Sequence, residues 1–188
     1  MRTFIAINLD RELKEMLSQL IEELKRLDPA RKSVRWVNQQ AMHLTLKFLG
    51  EIDENKVKPI ETALKRVSDG ARIFAMKIIG IGYFPPDKRN PRVLWLGIEE
   101  EESLKILQSL LEEEMEKLGF PKEKRKFHPH LTLGRVKIPS NLREIMLHLE
   151  KYESQKFGEM EVKKITFFKS VLKPTGAEYS VLSEFELK

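Results

Sequence analysis

Two of the four histidines in the chain stand in the same four-letter setting. His43 opens HLTL at 43–46 and His130 opens HLTL at 130–133, 87 positions later. Side chains alternate along a strand, so His43 and Thr45 share one face and Leu44 and Leu46 the other; His130 and Thr132 stand likewise against Leu131 and Leu133. The leucines anchor each strand in a core, leaving an imidazole and a hydroxyl about 6 to 7 Å apart on the opposite face. Brought together by a pseudo-twofold, the two strands would line one cleft with two histidines and two threonines. Such a cleft suits phosphodiester chemistry. One ring takes a proton from water or an attacking hydroxyl, and the other gives one to the departing oxygen, in line with the nucleophile. Imidazole, with an unperturbed pKa near ~6.5, serves either role near neutral pH. The hydroxyls would hold non-bridging phosphoryl oxygens. The residues alone leave open which ring takes which role. The duplication argues against reading the histidines as ordinary strand residues, whereas threonine is common in strands for packing alone.

The elements that must position these groups follow from periodicity. Residues 3–9, TFIAINL, read as a mostly buried strand, and Leu13, Leu17, Leu20, Leu24 and Leu27 predict a helix that stops at DPA, 28–30. SVRWV at 33–37 reads as a short strand or extended loop. A strand over Met42–Leu49, a helix over 55–67 closed by SDG, and a β-rich run over 72–84 lead to PPDKRNP at 85–91, the clearest loop. The order then begins again. A strand spans 93–98, and a helix spans 103–118 with Leu104, Leu107, Leu110, Leu111, Met115 and Leu118 on one stripe and Gly119 as its cap. The second HLTL strand spans 130–136 and a shorter helix 141–149. Residues 157–171 and 179–187 read as two antiparallel strands joined at KPTGAE. Aligning TFIAI with VLWLG gives an offset of 90, close to the 87 between the motifs. The expectation is an α+β, bilobal, internally duplicated single domain over 1–188, with approximate repeats at 1–84 and 92–188. Two antiparallel sheets would face a central cleft with helices on their outer faces.

The duplicated H-x-T-x pattern, with FIAINL, HLTLKFLG, LWLG and PHLTLGR as landmarks along essentially the whole chain, resembles the two-histidine phosphoesterase superfamily. Within it, the chain is similar to the prokaryotic RNA 2′,3′-cyclic phosphodiesterases, historically called 2′-5′ RNA ligases. The resemblance implies a metal-independent, cofactor-free hydrolase that opens cyclic phosphates on RNA ends to 2′-phosphomonoesters. By motif position, His43 would be the proton donor to the leaving 3′ oxygen and His130 the proton acceptor from water, with Thr45 and Thr132 binding the phosphate. Ligation of a 5′-hydroxyl to a cyclic end through a 2′-5′ linkage is the reverse reaction. The partners implied are RNAs with cyclic-phosphate or 2′-5′ linked ends. Competing readings are a phosphodiesterase for small cyclic nucleotides, such as the ADP-ribose cyclic phosphate left after tRNA splicing, and a noncatalytic RNA-binding module.

Other residues bear on this reading. Arg135 is expected on the His130 face, within reach of a phosphate. Its counterpart Phe48 is expected to fill the core rather than stack on a base, and Lys47 to lie on the leucine face. Arg35 and Trp36 could supply a cation and a stacking ring for a terminal nucleotide. Lys126, in the basic run KEKRKF at 122–127, could attract the RNA backbone, or simply be solvated. A zinc site of His43, His128 and His130 is disfavoured, because no carboxylate lies near either motif and His128 has no counterpart in the first half. His148 is expected at the surface of its helix.

Bulk composition sets the remaining bounds. With no cysteine in 188 residues, disulfides, thiolate metal sites and thiol nucleophiles are excluded. The net charge of +5 favours a polyanionic ligand. The acidic run Glu99–Glu102 suits a helix N-terminus. GIG at 80–82 sits inside a strand, so it is no dinucleotide fingerprint, and no Walker sequence occurs. No apolar segment is long enough to cross a bilayer, which suggests a cytoplasmic location. Charged residues at 34% suggest a thermophilic origin.

Overall fold

Apolar alternation with two phases along the chain builds two antiparallel sheets. In the computed structural model, which describes residues 1–28, 32–99, 101–173 and 176–188, sheet A contains β1 (Arg2–Asn8), β3 (His43–Glu51), β8 (Lys164–Lys173) and β9 (Gly176–Glu186), in the order β3-β1-β8-β9. Sheet B contains β2 (Val34–Trp36), β4 (Phe74–Phe84), β5 (Val93–Ile98), β6 (His130–Val136) and β7 (Lys156–Val162), in the order β2-β6-β5-β4-β7. Four α-helices are described: α1 (Arg11–Arg26), α2 (Val57–Gly70), α3 (Glu102–Lys117) and α4 (Arg143–Leu149).

Helix starts follow their capping chemistry. Asp10 accepts from the Leu13 backbone N–H at 2.8 Å to start α1, and Glu101 does the same for Leu104 at 3.1 Å to start α3, within the expected acidic run. The expected stripes are the buried ones: Leu13, Leu17, Leu20 and Leu24 on α1, and Leu104, Leu107, Leu111 and Met115 on α3. Pro29 and Ala30, expected to stop α1, lie outside the described residues; α1 ends with Leu27 N–H bonding back to the Leu24 carbonyl. The turn at 174–175 in KPTGAE also lies outside them, and β9 already begins at Gly176.

The expected single strand over 157–171 is instead two strands in different sheets. Met160 and Val162 enter the main core at even positions, Ile165 and Phe167 at odd ones. The phase slips at the Lys163-Lys164 pair, so β7 pairs with β4 in sheet B and β8 with β1 in sheet A. Exchange between the halves goes further. β4 of the first half joins sheet B, β8 and β9 of the second half join sheet A, α2 and α3 pack on each other behind sheet A, and α1 lies against β7. Each lobe is therefore assembled from both halves of the sequence.

A matching irregularity shapes the two HLTL strands. Strict alternation would put Lys47 with His43, and Arg135 with Leu131. In both copies a β-bulge intervenes: the β1–β3 register skips Leu46 and the β5–β6 register skips Leu133. Burial repeats accordingly, with Leu46-Lys47 and Leu133-Gly134 buried in succession and Phe48 and Arg135 exposed. The bulge thus turns Lys47 inward and brings Phe48 and Arg135 onto the histidine faces. Phe48 is 65% exposed, so the expectation that it fills the core is corrected. Lys47 instead bonds to Glu112 of α3 at 2.5 Å and to the Pro121 carbonyl at 2.9 Å, pinning β3 to the other half of the chain.

Candidate active site

The faces of the two sheets that carry the histidines are built differently. On sheet A, Phe4, Ala6 and Phe168 form a small apolar cluster separate from the main core. The His43 ring packs against this surface, 4.8 Å from Phe4 and 5.9 Å from Phe168, with Tyr179 edge-on at 5.1 Å. On sheet B the His130 ring meets Phe84 edge-on at 5.1 Å and Trp95 at 6.2 Å. Trp95 lies flat over β4 only because residue 82 is glycine, since a Cβ there would come within 2.4 Å of the indole. Gly80, at φ +75°, accommodates the adjacent irregularity in β4. The GIG segment is therefore a support for the wall beside His130.

Both rings are oriented by a carbonyl two residues upstream. His130 Nδ1 lies 2.7 Å from the His128 carbonyl oxygen, and His43 makes the corresponding backbone bond with Ala41. Nδ1–H of His130 donates to that carbonyl, leaving Nε2 as the free lone pair of the neutral ring. Burial pushes the His43 pKa down to about 4; the nearby Lys14 charge adds to this, and the Ala41 bond opposes it. His130 is also lowered, first by burial and then by the charges of His128 and Arg135, against the bond to the His128 carbonyl. Neither Thr45 nor Thr132 spends its hydroxyl on another described residue. β3 and β6 lie side by side across the junction of the two sheets.

A cavity of about 550 Å³ lies between the two sheets, and His43, Thr45, His130 and Thr132 are not among its lining residues. Arg35, Trp36 and Arg135 line it from β2 and β6; Arg2, Phe4, Phe48 and Tyr179 line it from sheet A. It shares Phe4 and Tyr179 with the surroundings of His43, and Arg135 with those of His130. Arg35 and Arg135 are direct cross-strand partners.

Of the residues singled out in the sequence, Arg35, Trp36 and Arg135 meet at this cavity, whereas Lys126 is exposed and is not among its lining residues. Lys122 of the same basic run is paired with Glu116 at 3.1 Å. His128 packs against Trp95 at 5.2 Å and Phe84 at 5.3 Å, and among the described residues no group of three or more His, Asp or Glu side chains could hold a metal ion. His148 is not simply a surface residue: its Nε2 lies 2.7 Å from Glu23, tying α4 to α1.

Sequence reasoning missed Asn8 and Lys14. Asn8 is the cross-strand partner of His43 and accepts from the Lys14 ammonium at 2.7 Å. The available signal was a lone polar residue closing an apolar strand, followed six positions later by a lysine in the first turns of α1.

Comparison with known proteins agrees with this architecture. The family model described as LigT like Phosphoesterase matches the chain twice, over residues 7–95 and 96–179. An RNA 2′,3′-cyclic phosphodiesterase of Thermotoga maritima is 39% identical over 190 residues, covering 100% of this chain and 96% of the relative. The crystal structure of TT0787 of Thermus thermophilus superposes with a TM-score of 0.81 at 30% identity, covering 100% of this chain and 98% of that one. That of E. coli LigT complexed with 3′-AMP does so with a TM-score of 0.75 at 26% identity, covering 99% and 97%. The chain belongs to the LigT-like phosphoesterase family. Among its described residues, no helix is long and apolar enough to cross a membrane.

Proposed function

We propose that this protein hydrolyses 2′,3′-cyclic phosphate ends of RNA to 2′-phosphomonoesters by paired-histidine acid–base catalysis without a metal. The observation that carries the reading is the twofold repetition of one local design: histidine, threonine, bulge and upstream carbonyl, once on each sheet. The family membership and the cyclic phosphodiesterase relative support it.

In-line displacement assigns the roles. The leaving oxygen belongs to the ribose, so the acid must stand on the nucleoside side of the phosphorus and the base on the water side. The aromatic floor of the cavity, Phe4 and Tyr179, is also the surface against which the His43 ring packs, so a nucleoside seated there stands on the His43 side. His43 is therefore the proton donor to the 3′ oxygen and His130 the acceptor that takes a proton from water. The water oxygen bonds to phosphorus, the P–O3′ bond breaks, and the products are a 3′-hydroxyl and a 2′-phosphate. Thr45 and Thr132 donate to the non-bridging oxygens, and Arg135 offsets the charge gained there. Because burial holds free His43 largely neutral near pH 7, the bound phosphate anion supplies the field that raises its pKa for proton donation.

Run in reverse, the same groups join a 5′-hydroxyl to a cyclic end through a 2′-5′ linkage. RNAs with cyclic or 2′-5′ linked ends are accordingly the partners, and the cytoplasm is the place of action this reading implies. We further read the chain as one bilobal domain descended from duplication of segments near 1–84 and 92–188.

The test is turnover of a short RNA with a 2′,3′-cyclic phosphate, with EDTA present, for wild type, His43→Ala and His130→Ala. The expected result is a 2′-phosphate product in wild type and a loss of at least a hundredfold in either variant. A 3′-phosphate product, dependence on added metal, or turnover untouched by both changes would overturn the reading.

A further inference from the structure

The cavity lies along sheet A away from the register position of His43: its lining residues on β1 and β3 are Arg2, Phe4 and Phe48, whereas His43 pairs with Asn8. β1 carries the cleft face from Asn8, opposite His43, to Arg2 at the far end of the cavity. From Asn8 to Arg2 the strand covers roughly 20 Å at ~3.3 Å per residue, and the cavity occupies its Phe4–Arg2 end. The floor between is aromatic: the Phe4 ring lies 5.9 Å from that of Phe48 and 5.1 Å from that of Tyr179. Phe48 reaches this floor only through the bulge in β3, and together with Leu172 and Tyr179, which are also exposed and line the cavity, it makes an apolar patch of the kind that marks a binding groove.

Charge at the far end points to the partner. Arg2 is exposed and makes no ion pair with any described residue. Glu178, the one carboxylate among the described lining residues, is neutralised by Lys173 at 2.6 Å. The cavity thus combines an aromatic floor with cations from both sheets, Arg2 from sheet A and the Arg35/Arg135 cross-strand pair from sheet B. Stacking rings interleaved with phosphate-binding cations are the recognition pattern of single-stranded RNA.

We propose that the Arg2–Phe48 end of the cavity is a binding subsite for the RNA nucleotide preceding the one that carries the cyclic phosphate. Phe48 stacks its base and Arg2 holds the phosphate that links the two nucleotides. This rests on the reading that the cyclic phosphate sits between His43 and His130. The chain direction is consistent with it: the ribose lies on the His43 side, and the strand leaves through its 5′ oxygen, away from the histidines. A nucleoside 2′,3′-cyclic phosphate without a 5′ phosphate leaves the subsite empty.

The experiment compares kcat/KM for cyclic-phosphate-terminated mono-, di- and trinucleotides in wild type, Arg2→Gln and Phe48→Ala. Both side chains are exposed, so neither change disturbs the core. Wild type is expected to favour the dinucleotide over the mononucleotide by about tenfold or more, as one stacked base contributes. Either substitution should collapse that ratio severalfold toward one. Arg2→Gln should also lower the slope of log affinity against log salt by about 0.7, the loss of one phosphate contact on a single strand. A length-independent wild type, or a ratio that both variants leave intact, overturns the subsite while leaving the hydrolase reading standing. If no length is turned over, the hydrolase reading fails. The subsite is then judged by binding of fluorescently labelled RNAs with unreactive 3′ ends, where equal affinity for one and three nucleotides, or affinity indifferent to Arg2→Gln, overturns it as well.

Discussion

The Lys14 ammonium donates a 2.7 Å hydrogen bond to the side-chain oxygen of Asn8, the residue directly across the sheet from His43. Lys14 has no carboxylate partner among the described residues, and burial lowers its pKa. Its charge also disfavours protonation of His43. A partly buried cation satisfied only by a neutral amide is poised to favour an incoming anion. Replacing Lys14 with Met should therefore raise the His43 pKa, since a like charge is removed, and raise KM severalfold, since the phosphate loses an attracting charge. NMR titration of the imidazole resonances reads the first effect and steady-state kinetics the second. An unmoved His43 midpoint would show that Lys14 does not act on the ring.

What the sequence disclosed about this site, and what it hid, divides along physical lines. The motif faces followed from period-two alternation as far as Thr45 and Thr132. Beyond them the pattern is broken by the bulges at Leu46 and Leu133, which only cross-strand pairing defines. Phe48, the counterpart of Arg135, reads from its apolar character as a core residue, although it faces the cavity. The helices were legible from their stripes, because burial of one face is a local property. The assembly of each lobe from both halves depends on which strand each edge accepts, and the phase slip at Lys163-Lys164 was its one local trace. Lys14 and Asn8 stand together only because α1 folds back beside β1, so neither carried a chemical signal alone.

The threonine hydroxyls separate a binding role from strand propensity. Thr45→Val and Thr132→Val keep shape and β propensity while removing the donor. If each hydroxyl stabilises a phosphoryl oxygen in the transition state, each change should lower kcat by about 10²-fold, with little change in melting temperature. Thermal unfolding and single-turnover rates on one RNA substrate provide the check. Wild-type rates in both variants would reduce the threonines to packing residues.

The pair Lys47–Glu112 is predicted to matter for stability. It is buried, and Glu112 also accepts from Gln108 Nε2 and the Glu123 backbone N–H, both at 3.2 Å. Lys47→Met leaves the carboxylate without its cation and should cost about 3 kcal/mol. For a chain of this length that is a fall in Tm of roughly 6 to 12 °C. The double change Lys47→Met with Glu112→Met should recover much of the loss, because an apolar pair avoids the desolvation of both charges. Calorimetry of the three variants measures this, and equal stability of the single variant and wild type would exclude a buried, coupled pair.

The depressed histidines make a pH prediction whose direction does not depend on which ring is the acid. Turnover from free enzyme requires one ring protonated and the other neutral, so kcat/KM is greatest between the two free-enzyme pKa values. His43 lies at about 4, and His130 lies below its ordinary value of 6.5. The maximum of kcat/KM should therefore fall on the acid side of pH 6.5. With substrate bound, the phosphate anion favours the protonated form of both rings and moves both limbs of the kcat profile to higher pH. The cyclic diester keeps a single negative charge across this range, so the displacement belongs to the enzyme. Measured with one RNA substrate and EDTA throughout, the two profiles should be offset, with kcat the more alkaline. Coincident profiles, or a kcat/KM maximum above pH 7, would mean that burial does not hold the two rings neutral in the free protein.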